Sequence, residues 1–521
     1  MTHLLLHRSV LWAALFGILA TLSAGANESP SPEEFGAEGR AAEVAIRGDR
    51  EAGVSAPQNV DGLEERLERV ENGLLPPVII KGQPVEPMKL ADRMKFYKTP
   101  GLSIAVINNG RIEWARGYGV REVNGGAITA ETLFQAASIS KPVAAAAALR
   151  LVQEGKLNLD EDVNRQLVSW KVPENEFAKE KIVTLRELLS HSAGLTVHGF
   201  GGYERDAPVP TLLQVLDGVK PANSDPIRVD TLPGAKFRYA GGGYVVLQQL
   251  LLDVTGKPFP ALMQDTVLAQ IGMAHSTYEQ PLPKERWPEA AVGYRPTGEK
   301  VQGDWHTYPE MAAAGLWATP TDLASFVIEL QQSLAGKSNK VLSQEMTKQM
   351  LTPQAGDWGL GVELLGKDAS AGFSHGGANE GFRCILVGYN STGRGAVLMT
   401  NSDSGSGLNE ELLASIAKEY DWADYLPKEK VLAHIDPKLY DSYAGQYELD
   451  PEILLTVTAE EGRLMVQATD PIKRELYPES ETRFFSLAIP VEITFVKDAK
   501  GEVFQLILEQ SGARLTAKKI K

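Results

Sequence analysis

The sequence predicts an α+β protein: an antiparallel sheet flanked by helices, with an all-helical region, followed by a small antiparallel β-barrel. Three observations carry that expectation. Residues 140–153 are apolar almost all the way round a helix, which marks a helix buried on every side. Residues 372–401 alternate short apolar runs with turn residues, as consecutive antiparallel strands do. Near Pro427 the composition shifts, and only short strands with turn signals follow.

At 521 residues the chain exceeds one typical domain. An apolar content of 43% and a charged content of 23% are those of a globular protein. The net charge of −15 argues against a nucleic-acid partner, which would require a basic footprint. Residues 1–26 read as a secretory signal peptide, because His3, His7 and Arg8 lead into an apolar run over residues 10–22, and Ala24-Gly25-Ala26 offers a cleavage site. That run is short for a membrane span, a signal anchor being the alternative. A periplasmic or secreted protein is therefore expected, with no span left after signal removal. Cys384 is the only cysteine, so no internal disulfide can form.

Residues 27–60, rich in Glu, Ala, Gly, Ser and Pro, read as a flexible spacer. Leu63, Leu67, Val70 and Leu74 recur at helical spacing, so a folded domain is expected over residues 61–428. Residues 102–107 and 112–118 form a hairpin about the favoured Asn109-Gly110 turn. After the buried helix, Gly155 serves as C-cap, and residues 183–189 read as a helix ending at His191. The glycine-rich bend at residues 237–244 enters a helix over 245–254 that Gly256 closes. No Gly-Lys-Ser/Thr follows, so the bend is not a phosphate loop. Thr319-Pro320-Thr321-Asp322 caps a helix whose apolar face carries Leu323, Phe326, Val327 and Leu330. Strands follow at residues 373–377, 383–389 and 396–400, then a helix over 408–419. The C-terminal β domain is expected over 436–521, with strands at 454–458, 463–467, 483–487, 492–496 and 503–509.

The chemistry is expected at the entrance of the buried helix. Ser138 stands there, and Lys141, one turn on, shares its face. Desolvation lowers the pKa of a buried lysine, and a neutral amine can take a proton from a hydroxyl. Pro142 disfavours helical geometry at Lys141, yet the alanine run demands a helix; a broken local rule beside a nucleophile is what functional sites show. The plain alternative is an N-cap serine followed by a snorkelling lysine.

Ser138-Ile139-Ser140-Lys141, Tyr239-Ala240-Gly241 and His375-Gly376-Gly377 come in the order and at about the spacing of the three motifs of serine β-lactamases and penicillin-binding peptidases. The chain most resembles the branch with class C β-lactamases, DD-carboxypeptidases, D-aminopeptidases and related esterases. Residues 100–106, 188–195 and 315–319 resemble it as well, and the match spans roughly residues 63–426. The tail resembles the lipocalin-like barrels appended to some of these hydrolases. The resemblance implies a β-lactamase/transpeptidase-like domain and a serine hydrolase acting through an acyl-enzyme on a β-lactam, a D-amino-acid peptide or a short ester. In it Ser138 is the nucleophile, Lys141 shares its proton, and Tyr239 is general base or proton relay. An ionised phenol would need the Lys141 ammonium beside it.

The same resemblance makes His375, Gly376 and Gly377 the edge along which substrate lies, and puts the oxyanion hole at the backbone N–H groups of Ser138 and Ala378. Two positions depart from the family pattern. Gly241 replaces an asparagine that would hold Lys141 and the substrate, and His375 replaces a lysine, removing a permanent cation. Arg383 is the candidate to replace that charge, with a solvated strand arginine as the alternative. These departures favour a peptidase of altered specificity or an esterase over an efficient β-lactamase.

The rival reading is a non-catalytic penicillin-recognising protein that holds a ligand in the groove or in the barrel. An α/β-hydrolase is not expected, since it would want a Gly-x-Ser-x-Gly segment and none is read in the chain. The histidines are scattered, none pairing as His-x-x-x-His with a nearby acid, so neither a metal nor a cofactor is expected. Cys384, among apolar neighbours, reads as a packed side chain.

Overall fold

The computed structural model describes residues 60–422, 424–450, 453–468, 473–487, 491–510 and 513–520. The expected signal peptide and residues 27–59 of the expected spacer lie outside the described residues. Two compact units form, one from residues 94–409 and the other from residues 60–93 with 410–520.

The first unit opens with the expected hairpin, β1 (Gly101–Asn108) and β2 (Arg111–Gly119). Asn109 and Gly110 both have positive φ, as the tight two-residue turn requires. Three helices then build the region behind the site: α1 (Ser140–Gln153), α2 (Gly241–Thr255) and the single turn α3 (Met311–Ala314). The α3 turn packs against both of the others. Ten of the fourteen α1 positions from Ser140 to Leu149 are consecutive and buried, so the all-round apolar pattern has its expected outcome. Gly256 takes the left-handed C-cap of α2 at φ 66°.

Helix α4 (Pro320–Leu334) starts as expected, the Thr319 hydroxyl accepting the Asp322 N–H at 3.1 Å. Strands β3 (Glu363–Leu365), β4 (Gly372–Asn379), β5 (Phe382–Tyr389) and β6 (Gly395–Thr400) complete a six-stranded antiparallel sheet in the order β2-β1-β6-β5-β4-β3. Helix α4 lies across β1, β5 and β6, whose residues are almost all buried. The expectation that the chain lacks a Gly-x-Ser-x-Gly segment is corrected: residues 372–376 read Gly-Phe-Ser-His-Gly, the spacing of a nucleophile elbow. They run along a strand, however, and Ser374 Oγ is buried and hydrogen-bonded to Glu363, so the segment is no elbow.

In the second unit, helix Val60–Glu71 buries Leu67 and Val70, and its Arg66 and Arg69 meet the Glu419 carboxylate at 3.2 and 2.7 Å. Strand Val78–Ile80 pairs in parallel with Lys428–Lys430. Eight antiparallel strands then close a barrel: β7 (Gly445–Asp450), β8 (Ile453–Glu460), β9 (Arg463–Gln467), β10 (Arg474–Pro478), β11 (Arg483–Phe485), β12 (Val491–Lys497), β13 (Val503–Gln510) and β14 (Ala513–Lys519). Its interior is filled. Tyr443, Tyr447, Leu464, Phe484, Ile493 and Leu506 are fully buried, and Tyr443 stacks on Phe495 at 4.6 Å. The α+β architecture expected from the sequence is what forms.

Candidate active site

The residues expected to act together converge in the first unit. A single turn, Ala137–Ile139, delivers Ser138 to the start of α1. Ala137 adopts φ 51°, a left-handed conformation that costs a residue with a Cβ roughly 1–2 kcal/mol. The strain expected at Lys141 is therefore at Ala137 instead. Pro142 falls within the first turn of α1, where its missing N–H has no intrahelical partner to lose. The Ser140 hydroxyl pins the turn, donating to Ala137 O at 2.5 Å and accepting the Leu316 N–H at 2.9 Å.

Lys141 is buried, and its Nζ donates to Ser138 Oγ and to the Ala313 carbonyl, each at 2.8 Å. The α3 turn thus supplies the fixed acceptor that aims the amine. Burial brings the Lys141 pKa down to about 7, so much of the population is neutral near physiological pH.

Tyr239 reaches the same point from the segment before α2. Its phenol is hydrogen-bonded with Ser138, and its ring lies 5.0 Å from Lys141 Nζ. Burial pushes the phenol up, an effect that the Ser138 contact only partly offsets. Of the two roles the resemblance left open for Tyr239, proton relay is the one this burial favours: desolvation penalises both charges, lowering the Lys141 amine and raising the Tyr239 phenol.

Three histidines surround this pair. His191 stacks on Tyr239 at 4.2 Å, and His198 lies 5.0 Å from the same ring. His375 sits on β4, with its ring 6.3 Å from Tyr239. All three are held below the usual imidazole range by burial first and by Lys141 next, His375 down to about 3. For His375 and His191 the tautomer follows from the partner. Nδ1 of His375 donates to the Gly376 carbonyl at 2.7 Å, leaving a lone pair on Nε2; Nδ1 of His191 accepts the Ala240 N–H at 3.2 Å, leaving its proton on Nε2.

Gly376, Gly377 and Ala378 run along β4 beyond Ser374, where pairing with β3 ends, so this stretch has an open edge among the described residues. Gly377 packs directly on the carbonyl of Ala136. Gly241 opens α2, and a Cβ there would come to 3.0 Å from both the His198 carbonyl and the Phe200 ring, so a larger residue would require these neighbours to shift. Arg383 is tied elsewhere. Its guanidinium donates to Asn379 O and Phe382 O at 2.7 and 2.8 Å and pairs with Asp403 at 2.8 Å, so it is neither a solvated strand arginine nor a spare cation.

Sequence reading missed Trp358, whose ring stands edge-on to Tyr239, His191 and His375 at 5.0–5.6 Å. The nearby glycines were the available signal. Gly361 has φ 96° and leaves no room for a Cβ against Ala145 of α1, so this loop is pressed onto the site helix.

A family model described as beta-lactamase matches residues 89–420, well over half of the chain. The chain belongs to the β-lactamase family, and so to the serine hydrolases. This β-lactamase-family unit is followed by a match over residues 429–520 to a domain of unknown function, DUF3471. Penicillin-binding protein 4* of Bacillus subtilis (strain 168) is 23% identical over 387 residues, covering 70% of this chain and 82% of the relative. Two solved structures share the fold. The octameric penicillin-binding protein homologue from Pyrococcus abyssi aligns with a TM-score of 0.56 at 23% identity, over 82% of this chain and 98% of its own. EstCE1, a hydrolase with promiscuous acyltransferase activity, aligns with a TM-score of 0.54 at 20% identity, over 68% of this chain and 99% of its own.

Proposed function

We propose that the protein is an exported hydrolase that cleaves an ester or amide through an acyl-enzyme on Ser138. One observation carries this reading: the Lys141 amine, with its pKa brought to about 7, stands 2.8 Å from Ser138 Oγ. Lys141 takes the Ser138 proton as Oγ bonds to the acyl carbon. The carbonyl oxygen becomes anionic and is met by the N–H groups of Ser138 and Ala378. As the bond to the leaving oxygen or nitrogen breaks, Tyr239 gives that atom a proton and recovers one from Lys141. Water then attacks the acyl-enzyme, its proton passing to Lys141 through Tyr239. The acid leaves and Ser138 Oγ regains its hydrogen.

The open edge of β4 at Gly376 and Gly377 suits a substrate added as a strand. A neutral His375 gives a β-lactam carboxylate no fixed cation, which favours esters, and amides without that carboxylate, as acyl donors. The acyltransferase activity in the description of EstCE1 supports the same intermediate. The filled barrel weighs against a carrier role for the tail. For export, support comes from residues 1–26; among the described residues no helix is long and apolar enough to cross a membrane.

Labelling by a fluorophosphonate and by a fluorescent penicillin, compared between the native chain and Ser138→Ala, tests the proposal. Labelling of the native chain alone is expected. Absence of label from both would favour the ligand-binding reading. Rates on nitrocefin, a p-nitrophenyl ester and a D-amino-acid amide then separate the three substrate classes, with the ester expected to be fastest.

A further inference from the structure

Phe237 is a large apolar residue left 37% exposed beside the site. Its ring stacks on Trp358 at 5.3 Å with an interplanar angle of 20°. The indole in turn stands 5.6 Å from the Tyr239 ring, edge to face. The loop that carries Trp358 is built to hold it: Trp358 N–H donates to Ala355 O at 3.2 Å, Gln354 N–H donates to Trp358 O at 2.7 Å, and Trp358 bridges to Glu363. Arg238, between Phe237 and Tyr239 in sequence, turns its charge away to Asp230 and to the carbonyls of Gly194 and Leu195. The result is a flat apolar wall, uncharged on its Phe237 and Trp358 faces, that begins at the phenol of Tyr239.

In the acyl-transfer reading, on which this inference rests, Tyr239 protonates the departing oxygen or nitrogen. Whatever is bonded to that atom is then carried to the side of the site where Tyr239 stands. We infer that Phe237 and Trp358 form a leaving-group subsite that selects esters or amides whose alcohol or amine portion ends in an uncharged aromatic ring. A ring there gains offset-stacked or edge-to-face contact with two aromatic side chains already fixed in place. A methyl group reaches neither, and a carboxylate on the ring gains nothing from either aromatic face.

The test compares kcat/KM for the methyl, benzyl and 4-carboxybenzyl esters of one acid, whose alcohols differ little in acidity. Native enzyme is expected to favour benzyl over both others. Phe237→Ala, an exposed position whose truncation opens no core, is expected to cut the benzyl-to-methyl ratio by about tenfold. Phe237→Tyr, which keeps a ring in place, is expected to restore it. Fluorophosphonate labelling of Ser138 in each variant separates the two levels of argument. A labelled enzyme whose ratio is the same in Phe237→Ala as in the native chain overturns the subsite alone; failure to label the native chain overturns acyl transfer and the subsite with it.

Discussion

Gly377 on β4 meets the carbonyl of Ala136 backbone to backbone, so closely that any Cβ at 377 would overlap the Ala136 oxygen. Ala136 opens the turn that holds Ser138, and this contact therefore sets the spacing between the hydroxyl and the sheet edge. Gly377→Ala must push the two apart. Overpacking of this kind costs about 1–3 kcal/mol, and the rate of Ser138 labelling should fall by about tenfold or more, since misplacement by about 1 Å can cost a factor near 100. Thermal unfolding and fluorophosphonate kinetics measure both effects; an undiminished labelling rate would show that the contact leaves the nucleophile in place.

Lys141 works as a base only when neutral, so acylation should rise with pH through about 7 and then level off. Lys141→Ala should lower kcat/KM by roughly 10²–10⁴, the usual contribution of a positioned acid or base. The same shift acts on stability. The folded pKa lies below the unfolded value of about 10.4, so the unfolded chain binds more protons between those limits, and this residue makes stability increase with pH across that window. Lys141→Met should accordingly be the more stable protein at pH 7 in urea unfolding, with the gap closing towards pH 10. A gap that does not change with pH would mean that the amine is not desolvated.

Tyr239 is a phenol whose proton is needed only by a leaving group that departs poorly without one. Tyr239→Phe should cost amide or alkyl-ester hydrolysis roughly 10²–10⁴ and p-nitrophenyl-ester hydrolysis much less. Equal losses on both would point to a general-base role instead.

His375→Lys would put a second ammonium close to Lys141, and like charges lower each other's pKa. The pH dependence of acylation should shift to lower pH, while labelling by a carboxylate-bearing penicillin gains relative to a neutral ester. A pH profile that does not move would place the new amine away from Lys141.

The parts of the fold set by a repeating apolar pattern were legible in the sequence. The all-round apolar helix α1, the Asn109-Gly110 hairpin and the Thr319 cap each follow from local chemistry. So did the meeting of Ser138 with Lys141, because one helical turn joins them. Other features depend on contacts distant in sequence. The positive φ of Ala137 arises from a turn clamped by Ser140 and Leu316, and nothing in the local string announces it. Trp358 and His198 carry no motif; they join the site because glycine loops press onto α1 and α2. Arg383 reads as a free charge until Asp403, twenty residues on, is seen to neutralise it. In the tail, β7, β10 and β14 escaped notice because charged residues and a proline interrupt their apolar alternation.

Cys384, the only thiol in the chain, is buried on β5 directly across from Gly377, with its pKa pushed up to about 12 by burial. Its S–H donates to the Gln135 carbonyl at 3.3 Å, so a maleimide or disulfide reagent reaches the sulfur once the segment at Gln135, just before the Ser138 turn, lifts from the face of the sheet. The unmodified protein thus carries its own clock for that motion: its rate of thiol capture, with and without an acyl group on Ser138, reads how firmly an occupied cleft holds the nucleophile's turn against the strands.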